Sequence, residues 1–157
     1  MTKKIKFNLY GRQAEILNDW LTTDKNSMDI IHAGAGKSHL AAIALPIFAS
    51  DPKYHKGKDV VFITGTTDMI KTNIWNTLKD TCINVYGVSP KDINNQDYII
   101  KIGTTHIRCK SAEIRDRIRG MNAGIILCDE ASLFSQEVLQ ELSNRLRPRV
   151  GSTDTPG

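Results

Sequence analysis

A glycine-rich turn between an apolar run and a helical stretch constrains the fold of this 157-residue chain more than any other feature. The turn, residues 34–38, reads Gly-Ala-Gly-Lys-Ser. Residues 28–33 before it predict a buried strand, and residues 37–49 after it follow a helical pattern. Small residues let the backbone wrap around phosphate oxygens, and a helix start directs N–H groups and partial positive charge at them. The turn therefore predicts a phosphate-binding loop.

This loop predicts a nucleotide site in which Lys37 reaches the β- and γ-phosphates and Ser38 ligates Mg²⁺. The complete pattern G-x-x-x-x-G-K-[ST] requires glycine at position 31, where this chain has Ile31. A chance glycine-rich turn is therefore the alternative interpretation of this motif alone. The other residues expected to contact the nucleotide here are Ala33, Gly34, Ala35, Gly36 and His39.

Two consecutive carboxylates, Asp129 and Glu130, directly follow the apolar residues 124–128. Ligands of parallel sheets bind at the carboxyl ends of the strands, where this pair is predicted to lie. Asp129 is expected to hold Mg²⁺, and Glu130 to orient and deprotonate an attacking water. An exposed acidic strand end is the alternative for the pair alone. Together, the pair and the loop predict binding of ATP or GTP.

Strand and helix patterns alternate along the chain, which predicts an α/β fold with a mostly parallel sheet and helices on both faces. Pro46 lies inside the second helical stretch and is expected to kink or shorten it. All of residues 1–157 form one predicted domain. The further predicted strands are 60–64, 124–128 and a hairpin over 98–109, and the further helices are 12–23, 68–85 and 136–146.

Composition excludes several classes of protein. The formal net charge of +4 is compatible with a polyanionic partner and equally with a mildly basic cytoplasmic protein. Three cysteines without a C-x-x-C pair argue against a disulfide framework or a zinc site, and Cys82 and Cys128 are predicted to be buried thiols. The four histidines form no metal-binding pair. No signal peptide or membrane-spanning run is visible, so a cytosolic location is expected.

The order of these segments resembles the ATPase half of the large terminase subunit of tailed bacteriophages, the motor that packages DNA into empty heads. Besides the phosphate loop, two stretches carry the resemblance. One is Ile-Thr-Gly-Thr-Thr at 63–67 with Lys-Thr-Asn-Ile-Trp at 71–75. The other is Arg-Ile-Arg-Gly-Met-Asn-Ala-Gly at 117–124, which runs into the acidic strand and precedes Asn-Arg-Leu-Arg at 144–147.

The resemblance implies a P-loop NTPase fold of the RecA/ASCE type, with ATP and Mg²⁺ as cofactors and double-stranded DNA as the substrate. It also implies the small terminase subunit and the portal protein as partners, a homo-oligomeric ring on the portal, and the cytoplasm of the infected host as the location. The chain is expected to be truncated before the coupling motif and the nuclease domain of the family.

Several residue roles follow from the resemblance alone. Gln13 is similar to the glutamine that recognises adenine; a solvated helix residue is the alternative. Many large terminases have an arginine where this chain has Ala33, so the activating cation is expected elsewhere. Arg119, in the arginine-glycine step, is the first candidate, with Arg115 and Arg117 as substitutes; a solvated basic loop is the alternative.

Two other functions remain open at this point. One is a fragment of a superfamily 2 DNA helicase or translocase, since Asp-Glu-Ala-Ser at 129–132 fits its acidic motif loosely. The other is a fragment that binds nucleotide without turnover. Candidate DNA-gripping residues, for which solvated charge is the simpler interpretation, are Lys3, Lys4, Lys6, Arg145, Arg147 and Arg149.

Overall fold

The computed structural model describes residues 9, 12–22, 37–113, 118, 121–130 and 133–146. No helix in these ranges is both long and apolar enough to span a membrane. The strands are β1 (Asp59–Thr64), β2 (Ile93–Asn94), β3 (Ile99–Ile102), β4 (Thr105–Ser111) and β5 (Ala123–Cys128). The helices are α1 (Gln13–Thr22), α2 (Lys37–Ser50), α3 (Pro52–His55), α4 (Thr67–Met69), a π-helical segment (Ile70–Trp75), α5 (Asn76–Tyr86), a 3₁₀ turn (Pro90–Asp92) and α6 (Gln136–Leu146).

The five strands form one sheet in the order β2-β3-β4-β1-β5. Strands β4, β1 and β5 are parallel to one another, whereas β2 and β3 run antiparallel at the far edge. This arrangement confirms the expected mostly parallel sheet and the hairpin, whose second strand begins at Thr105. The predicted strand over residues 28–33 lies outside the described residues.

One face of the sheet is covered by α1, α2 and the helix that ends with α5. Strand β1 contributes Val60 and Phe62 to this side, and Ile107 and Cys109 come from β4. Burial raises the pKa of the Cys82 thiol, on α5, to about 12, so this cysteine is an apolar packing group. The predicted burial of Cys82 is therefore confirmed.

Helix α2 continues past Pro46 to Ser50, so the proline does not shorten it; the predicted kink stays a prediction. The ring removes one backbone hydrogen bond and costs about 3 kcal/mol in a helix interior. Leu40, Leu45 and Phe48 of the same helix are buried, and each contributes about 2 kcal/mol. This packing offsets the cost, and the Ser50 hydroxyl donates to the Pro46 carbonyl at 2.6 Å.

The predicted helix over 68–85 is present as a continuous run of α4, the π-helical segment and α5. The Thr66 hydroxyl accepts a hydrogen bond from the Met69 N–H at its start, and Gly87 ends it in the left-handed conformation. The π-helical segment places Ile70, Ile74 and Trp75 in the core. The sequence pattern predicts the helix but not this widened turn.

Helix α6 covers part of the second face of the sheet. The Ser135 hydroxyl, just before the helix, accepts a hydrogen bond from the Val138 N–H at 3.2 Å. Val138 and Leu142 of α6 pack in one cluster with Val61 and Ile63 of β1. Strand β5 is an edge strand among the described residues, and Cys128 at its end is exposed. The predicted burial of Cys128 is therefore wrong, and this cysteine is the residue at which the chain leaves the strand.

The amino end of the sheet is held by a close backbone contact. A Cβ atom at Gly124 would lie 2.1 Å from the carbonyl oxygen of His55. The backbone at the start of β5 therefore lies so close to the end of α3 that only glycine fits at this position. The His55 Nδ1 atom accepts a hydrogen bond from the Gly57 N–H at 3.0 Å and lies 3.2 Å from the Thr105 hydroxyl. The contact between His55 and Thr105 connects α3 to the start of β4.

We expect Gly124→Ala to lower the free energy of unfolding by about 3 kcal/mol, because rigid backbone must move to admit the methyl group. Urea denaturation followed by circular dichroism measures this change. Gly65→Ala is the matched control: its Cβ would meet the Leu133 side chain at 3.0 Å, and Leu133 is exposed and able to move. A loss below about 1 kcal/mol is expected there. Equal losses in the two variants would contradict the backbone contact.

Candidate functional site

The three parallel strands β4, β1 and β5 end at the same edge of the sheet. Thr64 is opposite Ser111, and Ile63 is opposite Cys128. The hydrogen bonding continues one residue further on both sides, from the Ala112 N–H to the Thr64 carbonyl and from the Asp129 N–H to the Ile63 carbonyl, each at 2.8 Å. This carboxyl edge therefore gathers the residues that follow three separate strands.

The acidic pair leaves this edge in a tight turn. Asp129 and Glu130 are both half-buried, and each makes at least one side-chain or backbone interaction. Glu130 has a φ of 56°, the left-handed region that costs a non-glycine residue roughly 1–2 kcal/mol. Its carbonyl accepts a hydrogen bond from the Leu133 N–H at 2.9 Å. Asp129 and Glu130 thus lie in a hydrogen-bonded turn at the end of β5.

A network around Glu113 orders the neighbouring strand ends. The Glu113 carboxylate accepts hydrogen bonds from the Thr67 N–H at 3.3 Å and the Ser111 hydroxyl at 3.2 Å. The same hydroxyl lies 3.5 Å from the Gly65 carbonyl. Glu113 therefore connects the end of β4 to the first turn of α4.

Sequence reasoning misses Ser111 and Glu113, because residues 111–121 indicate only a polar, arginine-rich stretch. The available signal is alternation: β4 continues the pattern of the hairpin to Ser111, so the next residues must lie at the carboxyl edge. Strand β1 ends at Thr64, so the last three residues of the 63–67 stretch follow it at this edge.

The residues predicted for the nucleotide site fall partly within the described chain. Lys37 is the first residue of α2; Ser38 in the same turn is half-buried, and His39 is exposed. Gln13 of α1 is 3% exposed, so it is not the solvated helix residue of the alternative interpretation. Its adenine role stays a prediction. Outside the described residues lie Ala33, Gly34, Ala35, Gly36, Arg115, Arg117, Arg119, Lys3, Lys4, Lys6, Arg147 and Arg149.

The described part of the chain contains no group of three or more histidine, cysteine, aspartate or glutamate side chains that would hold a metal ion by itself. A hydroxyl and a carboxylate, as Ser38 and Asp129 provide, are oxygen ligands of the kind that Mg²⁺ accepts together with water and substrate phosphates.

Comparison with known proteins gives one informative likeness. No protein-family model matches the sequence, and no curated protein matches it. Among solved structures, the large terminase from a thermophilic bacteriophage superimposes with a TM-score of 0.67 over 89% of this chain, at 17% sequence identity. The chain spans 36% of that terminase. At this identity the likeness shows the fold: the described sheet and helices have the architecture of part of a phage large terminase.

Proposed function

We propose that this chain binds Mg-ATP and hydrolyses it to drive movement of viral DNA, as the ATPase part of a large terminase. The observation that supports this proposal best is the delivery of Asp129 and Glu130 by β5 to the carboxyl edge of a parallel sheet. Ligands of such sheets bind at that edge. The terminase fold agrees with this interpretation.

In this proposal, Lys37 and the backbone N–H groups of residues 34–36 hold the phosphates at the start of α2. Ser38 and Asp129 hold the magnesium ion, which neutralises phosphate charge when it is bound. Glu130 orients a water molecule and accepts its proton. Gln13 contacts the adenine base, and Arg119 supplies positive charge to the γ-phosphate in place of an arginine in the loop.

The backbone of Glu130 favours this assignment. A non-glycine residue in the left-handed region costs free energy, and such residues cluster at sites where a side chain must point in one direction. Residues 129 and 130 leave β5 in succession, and the second of them has the left-handed backbone. In this proposal one acid serves the metal and the other the water.

The wider assembly is part of the same proposal. Double-stranded DNA is the substrate that is moved, and the small terminase subunit and the portal protein are the partners on which a ring of copies assembles. These roles belong to a whole terminase, and the chain spans only 36% of the one that it resembles in structure. They rest on the fold and on the order of the motifs.

We expect Lys37→Ala to weaken ATP binding and Glu130→Gln to lower the hydrolysis rate by roughly 10²–10⁴-fold while binding is retained. Phosphate release and binding of a fluorescent ATP analogue are the two measurements. Lys53→Ala is the control, since Lys53 is an exposed residue of α3 that is outside the proposed site. Hydrolysis by Glu130→Gln at the rate of the parent protein would contradict the site assignment.

Glu130→Gly is expected to stabilise the fold while it abolishes hydrolysis, because glycine adopts the left-handed conformation without steric cost. A gain of about 1 kcal/mol corresponds to a rise in Tm of roughly 2–4 °C for a chain of this size. Glu130→Gln is the comparison variant, since it removes the charge and keeps the strained backbone. If Glu130→Gly has a lower Tm than Glu130→Gln, the strain is not present.

A further inference from the structure

We propose that an open face of the sheet, formed by β3, β4 and the turn before β2, binds the phosphate backbone of double-stranded DNA. This basic sheet face is defined by five side chains: Lys91, Lys101, His106, Arg108 and Lys110. It differs from the DNA-gripping candidates at the two ends of the chain that the sequence indicates.

The alternation of β4 creates this surface. Its residues are alternately buried and half-buried, and the three half-buried ones are His106, Arg108 and Lys110. On the neighbouring strand Lys101 is opposite His106 and is exposed. The cationic side chains of β4 therefore stand on one side of the sheet, about 6.6 Å apart along the strand, with Lys101 beside the first of them.

The apolar cluster beneath α6 reaches this face at one side only. It takes Val61 and Ile63 from β1, and within the described ranges no residue of β2, β3 or β4 belongs to it. Two depressions lie on this part of the sheet. Lys91, Lys101 and His106 contribute to one. Arg108 and Lys110 contribute to the other, together with Asp59 and with Val61 and Met121 of the cluster.

The charge of the face is positive after its own acids are counted. Asp59 accepts a hydrogen bond from the Arg108 Nε at 2.6 Å and lies 3.5 Å from His106 Nδ1. Asp92, beside Lys91, is the other carboxylate in the depressions. The described cations that line the two depressions are Lys91, Lys101, Arg108 and Lys110, so these linings carry more positive than negative side chains at neutral pH.

The chemistry of the face fits phosphates better than a protein partner. Protein interfaces are anchored by large apolar or aromatic side chains in pockets. The exposed large apolar residues of the described chain are Ile83, Leu133 and Leu139, and none of them lies on this face. A surface of lysine and arginine instead matches the positioning contacts made to DNA phosphates. The choice of DNA as the polyanion rests on the proposed function, whereas the phosphate chemistry does not.

The test measures binding of a short fluorescent DNA duplex to the full chain, without nucleotide, over a series of salt concentrations. Each phosphate contact contributes about 0.9 to the slope of log K against log salt. We expect the double variant Lys91→Ala/Lys101→Ala to reduce this slope by about 2 and to weaken binding roughly 60-fold at 0.1 M salt. Both lysines are exposed, so the fold should be unaffected.

The matched control is Lys53→Ala/Lys71→Ala, which removes the same charge from exposed positions elsewhere. Lys53 adjoins Tyr54, which packs against Phe48. Lys71 adjoins Ile70. Both neighbours belong to the core cluster on the opposite face of the sheet. This control is expected to bind DNA within about twofold of the parent. Equal losses in the two double variants, or no binding by the parent, would overturn the proposal.

Asp59→Asn tests the same face in the opposite direction. The amide oxygen still accepts a hydrogen bond from Arg108, but one negative charge is removed, so DNA binding should tighten. Weaker binding by this variant would contradict the proposal.

Polyglutamate is the second probe. If it binds as tightly as the duplex and responds to the same variants, the face recognises an acidic protein instead. ATP hydrolysis, measured separately, distinguishes failure of this inference from failure of the proposed function.

Discussion

The parallel pairing of β1 with β4 on one side and β5 on the other is the constraint on which the rest of the structure depends. It buries β1 on both faces, with Val60 and Phe62 on one side and Val61 and Ile63 on the other. It also fixes which residues meet at the carboxyl edge. A shift of β5 by one residue would reverse its faces and move the acidic pair away from the end of β1.

Much of this arrangement follows from the sequence, because its strongest signals are local. The apolar run before Asp129 predicts a strand ending in carboxylates, and the spacing of Val138 and Leu142 predicts a helix with one buried side. Each signal depends on a few adjacent residues and on the geometry of one element. The positions of the elements and the mostly parallel sheet were therefore predictable.

Features that depend on neighbours distant in sequence were not predictable. The tolerance of Pro46 results from packing by the whole of α2, and the exposure of Cys128 depends on what the folded chain places beside the end of β5. The bonds of Glu113 to Thr67 and Ser111 connect segments that only the folded sheet brings together. The left-handed backbone of Glu130 has no signal in residue type, since glutamate is not favoured there.

The π-helical segment has a consequence for insertions and deletions in this part of the chain. A wide turn holds more residues than an α-helical turn, and such turns behave as local insertions within a helix. Here it lies between Thr66, which caps the helix at the carboxyl edge, and Leu78 and Cys82, which fill the core. Deleting one residue from a regular α-helix rotates one end against the other by about 100°. A deletion within the wide turn closes it to an α-helical turn instead, so Thr66 and the core residues Leu78 and Cys82 keep their relative orientation.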